Sequence, residues 1–331
     1  MTDQDTIPPM LAAAASRRAE RRRFLQLAGG ASVAAGGLAL LSACGGGDDD
    51  DSPSPTPSPS PTPTPTSTSN ADRAALNYTL QLGYLQAQYF AYATTGAGID
   101  ASLLAGTGAA GSVTGGAAVP FGDAFVAACA REIAADARAR VAYLRGLIAA
   151  EAVAQPAINF SGAADGAFTT AARTAGVVGA GELFNPFAND DNFLLGAFFL
   201  QDVIVTAQKE LVPLANLSTT RTGFVGIAAA QAYHAGLIRT ALYGRGADAA
   251  SNAQKFSDLR DSLDGASNID QGVTDTGGAA NITPADGNGI AFSRASGGVL
   301  NILYLNKASV SLGGFFPAGL NGDLKTSTAQ A

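Results

Sequence analysis

From residue 71 the chain runs to Pro120 without a proline, and apolar side chains recur through that stretch at mainly helical spacing. Ala74, Leu76, Tyr78, Leu80, Leu82, Tyr84, Leu85, Tyr89 and Phe90 alternate with polar residues in a pattern that predicts a first helix over 71–95. Residues 96–119 are rich in glycine and alanine and read as a loop. A second helix is predicted from near Phe121 to about Glu151, with Phe125, Ile133, Val141, Leu144 and Ile148 on one stripe. A long excursion follows, with turn signals at Pro156, Gly162 and Gly166. Asp190-Asp191 then marks the start of a third helix, which reaches Leu211 before Pro213 interrupts it. A fourth spans 222–243 and is closed by Gly244 and Gly246. Shorter helices near 253–263 and 297–307 lie in a Gly/Asn/Asp-rich tail. The expectation is an all-α chain: a four-helix bundle over 71–245, and an irregular glycine-rich C-terminal extension over 246–331 packed on it.

The segment before the bundle has a different character. Arg21-Arg22-Arg23-Phe24-Leu25-Gln26 fits the twin-arginine export pattern, with Arg21, Arg22, Phe24 and Leu25 as its defining residues. The uncharged run over 27–41 is too short and glycine-rich for a comfortable membrane span. Leu41-Ser42-Ala43-Cys44 has the order of a lipobox: small side chains before the cut, and a thiol to accept diacylglycerol. Residues 1–43 are therefore expected to be a signal peptide, with Cys44 holding the mature protein to the membrane through its acyl chains. Each buried CH₂ contributes roughly 0.8 kcal/mol to such an anchor. Glycines rather than aspartate follow Cys44. In a two-membrane bacterium this resembles a lipoprotein released to the outer membrane, so the expected location is the cell envelope, on the periplasmic face of that membrane or at the cell surface. Residues 44–70, with alternating prolines among Ser and Thr, read as an extended tether. At roughly 3.1 Å per residue, its ~20-residue stretch would span some 60 Å.

Charge and rare residues narrow the function. The chain carries a net charge of −7, and loss of the signal makes it more acidic, because five arginines leave with three acids. There is no basic footprint for nucleic acid, and that class is excluded. With Cys44 committed to lipid, Cys129 stands alone among alanines and is expected in the core. The single histidine, His234, excludes His-rich zinc sites. No nucleotide-binding loop, nucleophile elbow or Cys-x-x-Cys occurs.

Five segments resemble the ferritin-like domain proteins that include the plant desiccation-related proteins. Residues 76–87 resemble the first bundle helix, 136–145 the second, 201–207 the third and 231–234 the fourth, while 313–322 resemble the C-terminal signature. The resemblance covers about 71–322 and implies a ferritin-like bundle. In metal-binding members, two helices each give a Glu and two give Glu-x-x-His. By that resemblance, the family's glutamates fall at Gly83 and Gln86 on the first helix and at Gln201 on the third. The two Glu-x-x-His pairs fall at Ala137 and Arg140, and at Gln231 and His234. Of the ligand set only the histidine is kept.

Those departures argue against a metal centre. Two divalent ions in a bundle core need several anionic oxygens, and glutamine supplies none. At about 5 Å and an effective dielectric near 20, Arg140 would repel a divalent ion by on the order of 6 kcal/mol. Asp136 and Asp202 sit one residue from ligand positions, but one helical step turns a side chain by about 100°. Asp136 is also spaced to pair with Arg140. The expectation is no cofactor, and a hydrogen-bonded polar core of Gln86, Arg140, Gln201, Gln231 and His234. The same residues could also form a small-anion or polar-ligand pocket around Arg140 and His234. Three functions compete: a non-catalytic structural, binding or stress protein, an iron- or manganese-dependent oxidase or metal-handling protein with a rearranged site, and an envelope- or glycan-binding module. For the third, residues 264–288 could form a weak Ca²⁺ or sugar loop, although their scattered acids suit a simple loop. The two phenylalanines of 313–322 suggest a plug packed against the bundle.

Overall fold

The first long helix, α1 (Asn70–Thr95), is buried without a break from Ala75 to Ala91. A helix enclosed on every side cannot be strongly amphipathic, and its polar side chains must find partners inside the protein. Ser69 caps its start by accepting a hydrogen bond from Asp72 N at 3.1 Å, and Gly96, at φ 74°, closes its end. These details come from a computed structural model that describes residues 69–330. The expected signal peptide, its arginines, Cys44 and nearly all of the tether lie outside the described residues.

Helix α2 (Ala124–Ile148) is capped by Asp123 and pairs with α1; α4 (Asp190–Leu211) pairs with α5 (Ser218–Gly244). Both pairs are antiparallel. Val119 N bonds Ala93 O at one end of α1, and Asn77 at the other end bonds Glu151 O. Buried Asp72 accepts from Asn216 N and Leu217 N, at 2.6 and 2.9 Å, and so ties the start of α1 to the α4–α5 turn. The segment 149–189 returns along the length of the bundle as its one long crossover. Its strand β2 (Ile158–Asn159) pairs in parallel with β1 (Val113–Thr114) of the loop between α1 and α2, and it also contains α3 (Ala167–Ala175). The sequence predicts an excursion with turns here, and no helix at α3. Alanine-rich α3 is nine residues long, below the length at which periodicity is readable.

The crossover is stitched to α1 by amides. Asn77 brackets it, donating to Glu151 O at 3.1 Å and accepting from Val153 N at 3.0 Å. Gln81 donates to Ala154 O and Gln88 to Gln155 Oε1. Tyr89 stacks on Phe193 at 5.6 Å and meets Phe160 edge-on at 5.4 Å, at one end of an aromatic core.

The C-terminal extension belongs to that core. Helices α6 (Ala247–Asp264) and α7 (Ser296–Tyr304) both pack on α4. Phe315 and Phe316 are fully buried, with the Phe315 ring 4.8 Å from Phe168. Residues 313–322 form the expected plug, held by Asn321, which bonds Ala109 and Ala154 backbone. Helix boundaries differ modestly from expectation. α5 begins four residues early, through Ser and Thr that favour caps over helices, and α6 begins at Ala247 rather than near 253. Cys129 is buried, as its alanine surroundings suggest. Among the described residues no helix is long and apolar enough to cross a membrane.

Candidate functional site

Gln86 of α1, Gln201 of α4 and Gln231 of α5 project into the bundle centre, each 1–2% exposed, and Arg140 of α2 joins them. Arg140 Nη1 donates to Gln86 Oε1 at 2.5 Å. A guanidinium can only donate, so Gln86 must turn its oxygen to Arg140 and its amide nitrogen inward. That nitrogen donates to Gln201 Oε1 at 2.7 Å and to Gln231 Oε1 at 2.8 Å. Gln201 Nε2 donates to Gln231 Oε1 at 2.6 Å, and Gln231 Nε2 closes the ring on Gln86 Oε1 at 3.0 Å. All three carboxamide oxygens are therefore occupied.

Three of the seven expected positions stand outside this ring. Gly83 faces Val141 and Leu144, so a side chain there would enter an apolar contact. Ala137 is buried in the hydrophobic core. His234, 3% exposed and one turn beyond Gln231, turns Nε2 to Asp136 Oδ2 at 3.3 Å across the α2–α5 seam. Its Nδ1 is buried and, among the described residues, has no hydrogen-bond partner. With the proton on Nε2, Nδ1 carries a lone pair, and an unmatched acceptor is the milder of the two orphans. Asp136, expected as the ion partner of Arg140, supports it through its field. Burial, partly offset by Asp136, lowers the Arg140 guanidinium to about 10, so it stays charged at neutral pH.

This donor set does not fit a pair of divalent cations. A metal at the ring would displace hydrogen bonds from every amide oxygen, gain no carboxylate among them and face a guanidinium. Asp202 offers no rescue. It turns away from Gln201, and its Oδ2 accepts from Arg239 at 2.7 Å and Arg260 at 3.1 Å.

Asp202 belongs instead to a buried ionic network that the sequence reading missed. Arg260 also contacts Asp270 Oδ1 at 2.8 Å and stacks on Phe198 at 4.5 Å. Arg294 holds Asp264 Oδ2 at 2.5 Å, bonds Asp270 Oδ2, and donates to Thr206 Oγ1 at 2.8 Å. Arg239 adds three carbonyls, of Gln271, Gly272 and Asn281. Three arginines thus fasten the extension to α4 and α5. The available signal was Arg239 set among Ile238, Ala241 and Leu242, a charge on an apolar stripe. Asp261, Asp264 and Asp270 are, among the described residues, an acidic group with donor atoms within 4.8 Å. Arg294 occupies two of them. The scattered acids of 264–288 build turns: Asp275 and Asp286 each accept backbone N–H groups two and four residues ahead.

A family model described as Ferritin-like domain matches residues 71–244. No curated protein and no solved structure matches the chain.

Proposed function

The chain belongs to the ferritin-like domain family, and from that premise we propose that it is a non-catalytic member, exported and lipid-anchored at Cys44, with a structural, binding or desiccation-type protective role in the cell envelope. The amide ring carries this reading. Where metal-binding bundles converge carboxylates and histidines, this bundle converges three neutral carboxamides and a guanidinium whose hydrogen bonds satisfy one another. The arrangement replaces metal–ligand cross-links between α1, α4 and α5 with hydrogen-bonded ones. The ring offers a redox metal no anionic ligand. The membrane, reached through the lipid, is the expected partner, and an envelope component or a small polar ligand would be the binding target.

Two experiments test the halves of the reading. Aerobic ferrous oxidation should run no faster with the full chain than in buffer, and a saturable acceleration would favour the iron- or manganese-dependent alternative. Radiolabelled palmitate should enter the protein in a bacterial host and be lost in Cys44→Ala. Equal labelling of the variant would overturn the anchor.

A further inference from the structure

We propose that the seam between α4, α5 and the C-terminal extension binds a small neutral molecule with an apolar body and one hydrogen-bond donor, the chemistry of a compact alcohol. The seam holds a cavity of about 110 Å³. Val205, Ala235, Ile269, Ile282, Pro284 and Phe292 form apolar walls. Ala232, Thr283 and Ala291 also line it and are exposed, so it opens to solvent. An apolar cavity of roughly 150 Å³ accepts benzene, with its six carbons, so the smaller space here limits the occupant to about four or five non-hydrogen atoms.

One atom gives the cavity its chemical preference. Asp202 and Asp270 both line it. Both oxygens of Asp270 are engaged by Arg260 and Arg294. Asp202 differs: Oδ2 takes Arg239 and Arg260 together, and among the described residues no donor reaches Oδ1. A carboxylate oxygen accepts readily, so a residue lining this apolar space keeps a strong acceptor for a ligand. Arg239, Arg260 and Arg294 balance Asp202, Asp264 and Asp270, so the paired groups offer a ligand no net charge. A carboxylate ligand would lose hydration against an acceptor, and an ammonium would approach two guanidiniums. A hydroxyl meets neither penalty. This site is separate from the amide ring, because Gln201 and Asp202 point to different sides of α4.

Cyclobutanol titrated into the full chain carrying ¹³C-labelled isoleucine methyls tests the proposal. The methyl signals of Ile269 and Ile282 should move saturably, while isoleucines of the bundle core move little. Propionate, a carboxylate with the same number of non-hydrogen atoms, should not compete. Ala232→Leu, at an exposed position that the fold does not need, should weaken binding roughly tenfold. Non-saturating shifts spread over all isoleucines, equal binding of the carboxylate, or unchanged affinity in Ala232→Leu would each overturn the site. None of these outcomes depends on whether the bundle core binds metal.

Discussion

Arg140 on α2 and Gln86 on α1 are joined by a 2.5 Å hydrogen bond that fixes the sense of the whole amide ring. Because the guanidinium cannot accept, each glutamine has one permitted orientation, and the network is directional from Arg140 inward. Cooperative polar networks of this kind specify a unique core when every member is satisfied.

Removing one member should therefore cost more than one hydrogen bond. In Gln231→Leu, the amide nitrogens of Gln86 and Gln201 both lose the Oε1 they share. Unmet buried groups cost about 1–3 kcal/mol each, and the variant is expected to lose about 2–4 kcal/mol in urea denaturation. A loss within experimental error would show that the ring is dispensable.

The ionic network makes a larger prediction. Asp202→Ala leaves Arg239 and Arg260, both fully buried, without their shared carboxylate. Breaking a buried pair from one side costs about 3–5 kcal/mol. Circular dichroism during urea titration should show the midpoint falling accordingly. A shift no larger than that of a surface variant such as Asp258→Ala would contradict the assignment.

Two helix glycines should respond in opposite directions. A Cβ at Gly83 meets Val141 at 3.5 Å, an ordinary contact, so Gly83→Ala should stabilise by about 0.5–1 kcal/mol. A Cβ at Gly196 would lie 2.5 Å from the Tyr89 hydroxyl and 3.0 Å from Pro186. Gly196→Ala should destabilise by about 1–3 kcal/mol. Thermal melts of the two variants beside the parent decide the matter.

Acidity should strengthen one corner of the fold. Burial, reinforced by Asp270 and Asp264 and opposed by two backbone N–H groups, raises the Asp261 carboxyl from 3.8 to about 6. A carboxyl raised on folding favours the folded state fully below its unfolded value, and that contribution fades as pH rises through about 6. Asp261→Asn keeps an oxygen for Ile269 N and Asp270 N. It is expected to be more stable than the parent at pH 7 and to lose that advantage toward pH 4. Parallel stability curves across this range would refute the shift.

The bundle was legible because its helices are long, proline-free and periodic. The amide ring was legible because Gln86, Gln201, Gln231 and Arg140 occupy inward positions that a resemblance could register. Three features were not. Helix α3 is too short to show a period. The part Asn77, Gln81 and Gln88 play in holding the crossover depends on a return path that local pattern does not encode. Asp202, Arg239, Arg260, Asp264, Asp270 and Arg294 are spread over more than ninety residues, and only the packing of the extension against α4 brings their charges together.

On electrostatic grounds, a core of mutually bonded carboxamides beside a guanidinium should not retain divalent ions. Elemental analysis of the full chain, purified without chelators from cells supplied with iron and manganese, tests it directly. Transition metal is expected far below one ion per chain. About two ions per chain, the complement of a working di-metal bundle, would contradict it.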